Sequence, residues 1–292
     1  MVNLVRAARD GSEFFGQDEG GGCARVAGMV AWGKARENMM RTANLRARIL
    51  GRERLASTFV KTAEVTVVEV LATSGLDFIV LDGEHAAFDR GRLDACLAVC
   101  RALDFPALVR ISSGSEENVL MALDAGAVGV VVPHVYSVEK AQAIAKSAHF
   151  GRGGRGFAGS TRWAGFTMQP MGDVLDQDVQ TIVMAQIEEP EGVEVCEGIA
   201  AIDGIDALFA GPADLSVGYG HRTQDNPDLK TALARVGKAC ADNGKGYVSW
   251  VADAGTAADW VKYGVTGFVV ASEHTWMRQG ASAAARGIHD IP

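Results

Sequence analysis

Several apolar runs in this 292-residue chain stop abruptly at polar residues. Phe78-Ile79-Val80-Leu81 runs into Asp82-Gly83-Glu84-His85, Ala107-Leu108-Val109 into Arg110, Ile182-Val183-Met184-Ala185 into Gln186-Ile187-Glu188, and Ala207-Leu208-Phe209-Ala210 into Gly211-Pro212-Ala213-Asp214. Parallel strands covered on both faces read as continuous hydrophobic runs, whereas half-exposed strands alternate. Runs that each end in titratable or hydrogen-bonding side chains therefore point to a parallel α/β barrel with its chemistry at the carboxyl rim.

The rest of the chain fits that reading. Strands are predicted at 57–61, 78–82, 107–111, 129–132, 182–187, 207–210, 246–250 and 267–271, and eight is the number that closes a (β/α)8 barrel. Helical patterns lie between them: 64–72 stopping at Gly75, 116–125 at Gly126, 138–148 before Gly151, and 190–200 opening on Pro190 and Glu191. The long connection at 150–180, with Gly151-Arg152-Gly153-Gly154-Arg155-Gly156, follows the fourth strand and is expected over the catalytic rim. Residues 1–36 keep no hydrophobic period around Asp18-Glu19-Gly20-Gly21-Gly22 and read as a flexible extension, leaving 37–292 as one barrel domain.

With 48% hydrophobic and 22% charged residues the chain can bury a large core. A net charge of −8 without any basic block argues against nucleic acid or an anionic membrane as partner. Cys23, Cys96, Cys100, Cys196 and Cys240 are scattered and read as reduced, mostly buried thiols, although Cys96 and Cys100 are spaced one helical turn apart. No run reaches the roughly 20 apolar residues of a membrane span. The charged start lacks a signal-peptide core, so a cytoplasmic enzyme is expected.

Glu188 and Asp214 close neighbouring strands, and two convergent carboxylates without a nearby thiol suit a hard divalent cation such as Mg2+ or Mn2+. The small residues of Gly211-Pro212-Ala213-Asp214 allow close approach of a ligand, with the Ala213 and Asp214 amides free at a helix start. His85, beyond the second strand, is a candidate proton acceptor, because imidazole titrates near physiological pH. Arg110 at the end of a buried strand demands an anion, and its fork matches a carboxylate or an enolate oxygen. His134, after Pro133, is a candidate substrate contact. Lys61 is the one strand-end lysine available for Schiff-base chemistry.

From about Asn38 to about Gly280 the chain resembles the HpcH/HpaI family of metal-dependent pyruvate aldolases. The resemblance rests on Asp82-Gly83-Glu84-His85, Leu108-Val109-Arg110, Leu123-Asp124-Ala125-Gly126-Ala127, Val132-Pro133, Gln186-Ile187-Glu188 and Gly211-Pro212-Ala213-Asp214-Leu215-Ser216, in the family's order. It implies a TIM barrel of the phosphoenolpyruvate/pyruvate type, with Glu188 and Asp214 as ligands of Mg2+, Mn2+ or Co2+. It implies Gln186, Ala213 and Asp214 as substrate contacts, Arg110 as stabiliser of the enolate, His85 as proton acceptor, and Asp124 as the group raising the basicity of His85. Asp124 resists that role, since it falls at the far end of its helix. The chain departs from the family at His134-Val135-Tyr136-Ser137, where a Met-Val-Asn-Thr type of sequence is more usual, and at Glu273-His274-Thr275-Trp276.

The activity implied is reversible class II aldol cleavage of a 4-hydroxy-2-oxo acid to pyruvate and an aldehyde through a metal-bound enolate. Alternatives on the same fold are an oxaloacetate decarboxylase, a malyl- or citramalyl-CoA type lyase, or a non-catalytic ligand-binding barrel. The family also implies a homohexamer, a trimer of dimers that exchange their last helix.

Overall fold

The computed structural model describes residues 41–291. The extension expected over residues 1–36 lies outside the described residues, as does Cys23. Eight parallel strands close a barrel in sequence order: β1 (Leu55–Val60), β2 (Ile79–Asp82), β3 (Ala107–Arg110), β4 (Gly129–Val132), β5 (Ile182–Ile187), β6 (Ala207–Ala210), β7 (Gly246–Val251) and β8 (Gly267–Ser272). The ring closes where β1 pairs with β8, and β1 carries an irregularity between Ser57 and Phe59.

Each apolar run divides into two faces, because successive strand side chains point to opposite sides. Ile79, Leu81, Val109, Val130, Val183, Ala185, Ile187 and Leu208 pack outward against the helices. Phe78, Val80, Leu108, Val131, Ile182, Met184 and Phe209 fill the barrel. Continuing that inner set two residues past its last apolar member reaches Asp82 from Val80, Arg110 from Leu108, and Gln186 then Glu188 from Met184. The period of two therefore delivers these polar side chains to the inside of the carboxyl rim.

The opposite end is plugged. Helix α1 (Arg41–Leu50) inserts Leu45 and Ile49 into the inner core. Gly246, at the start of β7, makes room for this helix, since a Cβ there would lie 2.5 Å from Ile49 Cγ2. Arg46 bridges to Asp206 at 2.7 Å and Arg48 to Asp77 at 2.8 Å, anchoring the plug.

Around the barrel run α2 (Val65–Ala72), α3 (Arg90–Ala102), α4 (Glu116–Asp124), α5 (Val138–Ala148), α6 (Met171–Asp176), α7 (Pro190–Glu194), α8 (Cys196–Ala200), α9 (Pro212–Gly218), α10 (Pro227–Asp242), α11 (Ala254–Trp260) and α12 (Glu273–His289). The helix expected over 190–200 is two short helices, broken at Val195, whose φ of −120° and ψ of 11° leave the helical basin.

The connection at 150–180 does not lie over the catalytic rim. Helix α5 stands between β4 and this segment and returns the chain to the amino end of the barrel, so the segment enters β5 from below. It is tied there by Arg155 Nη2 to Asp124 Oδ1 at 2.6 Å and by Arg162 Nε to the Ala125 carbonyl at 2.8 Å, both at the end of α4. Its own small core gathers Trp163, Ala164 and Val174 beside Phe150. Cys96, Cys100, Cys196 and Cys240 are buried free thiols, and among the described residues no helix is long and apolar enough to cross a membrane.

Candidate active site

Asp82 and Arg110 are register partners across β2 and β3. Arg110 Nε donates to Asp82 Oδ1 at 2.9 Å and Nη2 to Oδ2 at 2.7 Å, a two-pronged charge-assisted contact. Lys61, immediately after β1, donates from Nζ to Asp82 Oδ2 at 2.6 Å. Burial alone would raise the Asp82 carboxyl, but the Arg110 hydrogen bonds and charge, the Lys61 ammonium and the His85 amide outweigh it and hold it lowered to about 2. The Arg110 guanidinium also lies over the Phe59 ring, 4.2 Å from its centroid. Of its five N–H groups, Asp82 takes two, and Nη1, 3.3 Å from Glu84 Oε2, looks toward the rim.

This pairing makes a stability prediction. A carboxyl whose pKa is depressed on folding stabilises the protein above its unfolded value, and that gain is lost as pH falls toward the folded value. For Asp82 the window runs from about pH 4 down to about 2, and the gain at neutral pH is about 2 kcal/mol. Urea midpoints at pH 7, 5 and 3 are expected to show the penalty of Asp82→Asn shrinking at pH 3. A penalty independent of pH would mean that shape, not charge, carries the effect.

Across the rim stand Glu188 and its neighbours. Glu188 is 4% exposed. Its Oε1 accepts the His134 N–H at 2.6 Å, and its Oε2 accepts from Gln186 Nε2. Burial raises the Glu188 carboxyl to about 6; the His134 amide and imidazole oppose this, whereas the charges of Glu84 and Asp214 add to it. A Cβ on Gly211 would sit 2.8 Å from Glu188 Cβ, so only glycine lets the end of β6 approach this closely.

His134 has a φ of 58°, in the left-handed region that costs a non-glycine residue about 1–3 kcal/mol. The turn is held by its N–H on Glu188 and by Lys140 Nζ, which donates to its carbonyl at 2.8 Å. The imidazole consequently lies among acids: Nδ1 is 2.6 Å from Glu189 Oε1 and 3.1 Å from Glu188 Oε1, and Nε2 is 3.5 Å from Glu84 Oε1. Burial pulls the His134 pKa down, but the Glu189 hydrogen bond and the charges of Glu188, Glu189 and Glu84 raise it overall.

A cavity of about 280 Å³ opens between these groups, lined by Lys61, Arg110, Gln186, Gly211, Ala213 and Asp214 over the apolar floor of Phe59 and Phe209. It takes a molecule of a few carbons bearing several oxygens. Thus Arg110, Gln186, Ala213 and Asp214 share one cavity, and Glu188 adjoins it through Gln186 and Gly211. His85 is not among the residues lining the cavity; its side chain is 64% exposed, with Nε2 3.7 Å from Glu84 Oε2 and its N–H on Asp82 Oδ1 at 3.1 Å. Asp124 is not brought to this site within the chain; it sits at the other end of α4, paired with Arg155. Sequence reasoning gave no role to Glu84 and Glu189, although Glu84 lies within the motif Asp82-Gly83-Glu84-His85 and Glu189 follows Glu188. It gave Arg110 an anion as partner, a carboxylate or an enolate oxygen, without naming Asp82, which supplies the carboxylate from the protein.

Residues 55–275 match the family described as HpcH/HpaI aldolase/citrate lyase. The hydroxypyruvate/pyruvate aldolase of Roseobacter denitrificans is 31% identical over 198 residues, 66% of this chain and 76% of that one. The 5-keto-4-deoxy-D-glucarate aldolase of Enterobacter sp. is 33% identical over 180 residues, 61% of this chain and 70% of the relative. Among solved structures, an HpcH/HpaI aldolase/citrate lyase family protein from Burkholderia cenocepacia J2315 superposes with a TM-score of 0.80 at 30% identity, covering 85% of this chain and 99% of its own. Barrel, rim residues and these likenesses agree: the chain belongs to the HpcH/HpaI aldolase/citrate lyase family.

Proposed function

We propose that this protein is a divalent-metal-dependent class II pyruvate aldolase, which cleaves a 4-hydroxy-2-oxo acid reversibly to pyruvate and an aldehyde. The observation that carries the reading is the small cavity with Arg110, pinned by Asp82, on one wall and Gln186 and Asp214 on another, beside the buried Glu188. A cation fits these residues. Glu188 is a buried carboxylate beside two other acids, and Gln186 Oε1 is buried without a hydrogen-bond donor. Glu188 and Asp214 would hold Mg2+, Mn2+ or Co2+, which supplies Lewis-acid polarisation of the 2-oxo group when bound.

The protein's side chains account for the remaining steps. Gln186 and Ala213 orient the 2-oxo acid head of the substrate against the cavity wall. His85, directly or through a water, accepts the C4 hydroxyl proton, so that the aldehyde C=O forms as the C3–C4 bond breaks. The electrons of that bond pass into the enolate of pyruvate, and the remaining Arg110 N–H groups meet its oxygen. Asp82 and Lys61 keep the guanidinium in one orientation, so little reorganisation is needed when charge develops. Return of the proton to C3 completes pyruvate.

Release of pyruvate from a panel of 4-hydroxy-2-oxo acids, with and without chelator, tests the reading. Metal-dependent release supports it, and turnover unchanged in a metal-free protein overturns it. His85→Ala is expected to lose about 10²-fold or more in aldol cleavage. Oxaloacetate decarboxylation reaches the same enolate without a base at the bond-breaking step and should suffer much less. Equal losses in both reactions would make His85 an orienting group. A hexamer belongs to the same proposal, supported by Met277 and Ile288, which α12 leaves exposed, and light scattering measures it.

A further inference from the structure

The imidazole of His134 is placed as metal-binding histidines are. Glu84, His134 and Glu188 each offer a ligand atom, all within 4.8 Å of one another. The 3.5 Å from Nε2 to Glu84 Oε1 is close to the roughly 3.3 Å expected between two ligands at bond lengths of about 2.0–2.1 Å and a tetrahedral angle, while Nδ1 faces the Glu189 and Glu188 carboxylates at 2.6 and 3.1 Å. The side chain of Glu84 is 9% exposed and that of Glu188 4%, and Glu84 turns Oε1 to His134 and Oε2 to Arg110 Nη1, 3.3 Å away.

The two ring nitrogens are not equivalent. Nδ1 lies on Glu189 Oε1 at 2.6 Å, a distance at which Nδ1–H donates to the carboxylate. A metal-bound histidine typically gives its second N–H to a carboxylate, which fixes tautomer and ring orientation. That leaves Nε2 facing Glu84, where two acceptors meet unless a proton on Nε2 or a cation stands between them. The strained left-handed turn at His134 serves this placement, because it puts the backbone N–H on Glu188 and the ring over the same acids.

We propose that His134, through Nε2, is a direct ligand of the cation that Glu188 holds, with Glu84 beside it and Glu189 orienting the ring. This rests on the metal reading above and sharpens it: the site of this chain is mixed nitrogen and oxygen rather than all oxygen. Imidazole favours borderline ions, so Co2+ or Zn2+ should be preferred over Mg2+ more strongly than two carboxylates alone would give.

The test is direct binding to the full-length protein. Calorimetric titration with Co2+ and Mg2+ compares wild type with His134→Asn, which tolerates the left-handed backbone, keeps the N–H on Glu188 and lacks the imidazole. Co2+ affinity is expected to fall 10-fold or more, with Mg2+ affinity little changed. Electron spin-echo modulation of the Mn2+-loaded wild type should show one directly bound nitrogen that His134→Asn removes. Glu189→Gln should weaken Co2+ by a smaller factor and keep the nitrogen signal. Equal Co2+ affinities together with no nitrogen coupling would overturn the assignment of His134 while leaving the carboxylate site standing. Failure of wild type to bind either ion would overturn both readings.

Discussion

Arg110→Lys is expected to lower kcat by about 10²–10³-fold, the scale on which a preorganised donor to a developing oxyanion acts. Net charge is preserved, so the loss comes from geometry. The guanidinium spans both oxygens of Asp82 at 2.9 and 2.7 Å and lines the cavity with Nη1 3.3 Å from Glu84 Oε2. An ammonium is a point charge on a flexible stem; it can bond Asp82 or face the substrate but does not hold both in a fixed plane. Lys61 already occupies one Asp82 oxygen at 2.6 Å, so a second lysine would compete with it for the same acceptor. Because the interaction belongs to the charge that develops as the bond breaks, the effect should fall on kcat with KM little moved. Steady-state kinetics of pyruvate release decide it, and an unchanged kcat with a raised KM would place Arg110 in ground-state binding.

Glu188→Gln is expected to abolish measurable turnover, a loss of about 10³-fold or more if the Lewis acid contributes several kcal/mol. Its effect on the fold should have the opposite sign. A carboxyl whose pKa is raised on folding works against the fold once ionised, so stability of the cation-free protein falls as pH rises from about 4.5 to about 6. The amide of the variant cannot ionise, so the cation-free variant should be at least as stable as wild type at pH 7 and should lack that decline. Added divalent cation should stabilise wild type and not the variant, as thermal melts with and without Mg2+ would show. A variant that keeps its activity and its metal-dependent stabilisation contradicts the role given to Glu188.

The barrel was legible because its strands are buried on both faces. The runs at 107–110, 182–187 and 207–210 have no other use for so many consecutive apolar residues, and the first polar residue after each marks the rim. Arg110, Gln186 and Glu188 were found that way. The Asp82–Arg110 pair was not, because it depends on the register of β2 against β3, which no local pattern encodes. The cluster of Glu84, His134 and Glu189 depends on a left-handed backbone at His134, and a histidine after proline carries no signal for that conformation. The connection at 150–180 was misplaced for a simpler reason: glycine and arginine content marks a long loop but does not tell which end of the barrel α5 has returned the chain to. Asp124 then has an ordered partner in Arg155, on the rim away from the cavity.

The central claim is that Arg110 and the acids around Glu188 generate and stabilise the enolate of pyruvate, whatever aldehyde completes the substrate. Exchange of the methyl protons of pyruvate with solvent deuterium, followed by proton NMR in the presence of Mg2+ and without any aldehyde, measures that step alone. Enzyme-dependent loss of the methyl signal is expected, stopped by chelator and by Glu188→Gln and strongly slowed by Arg110→Lys. A metal-loaded protein that leaves the methyl protons of pyruvate unexchanged, beyond the rate in buffer with the same Mg2+, would contradict the account.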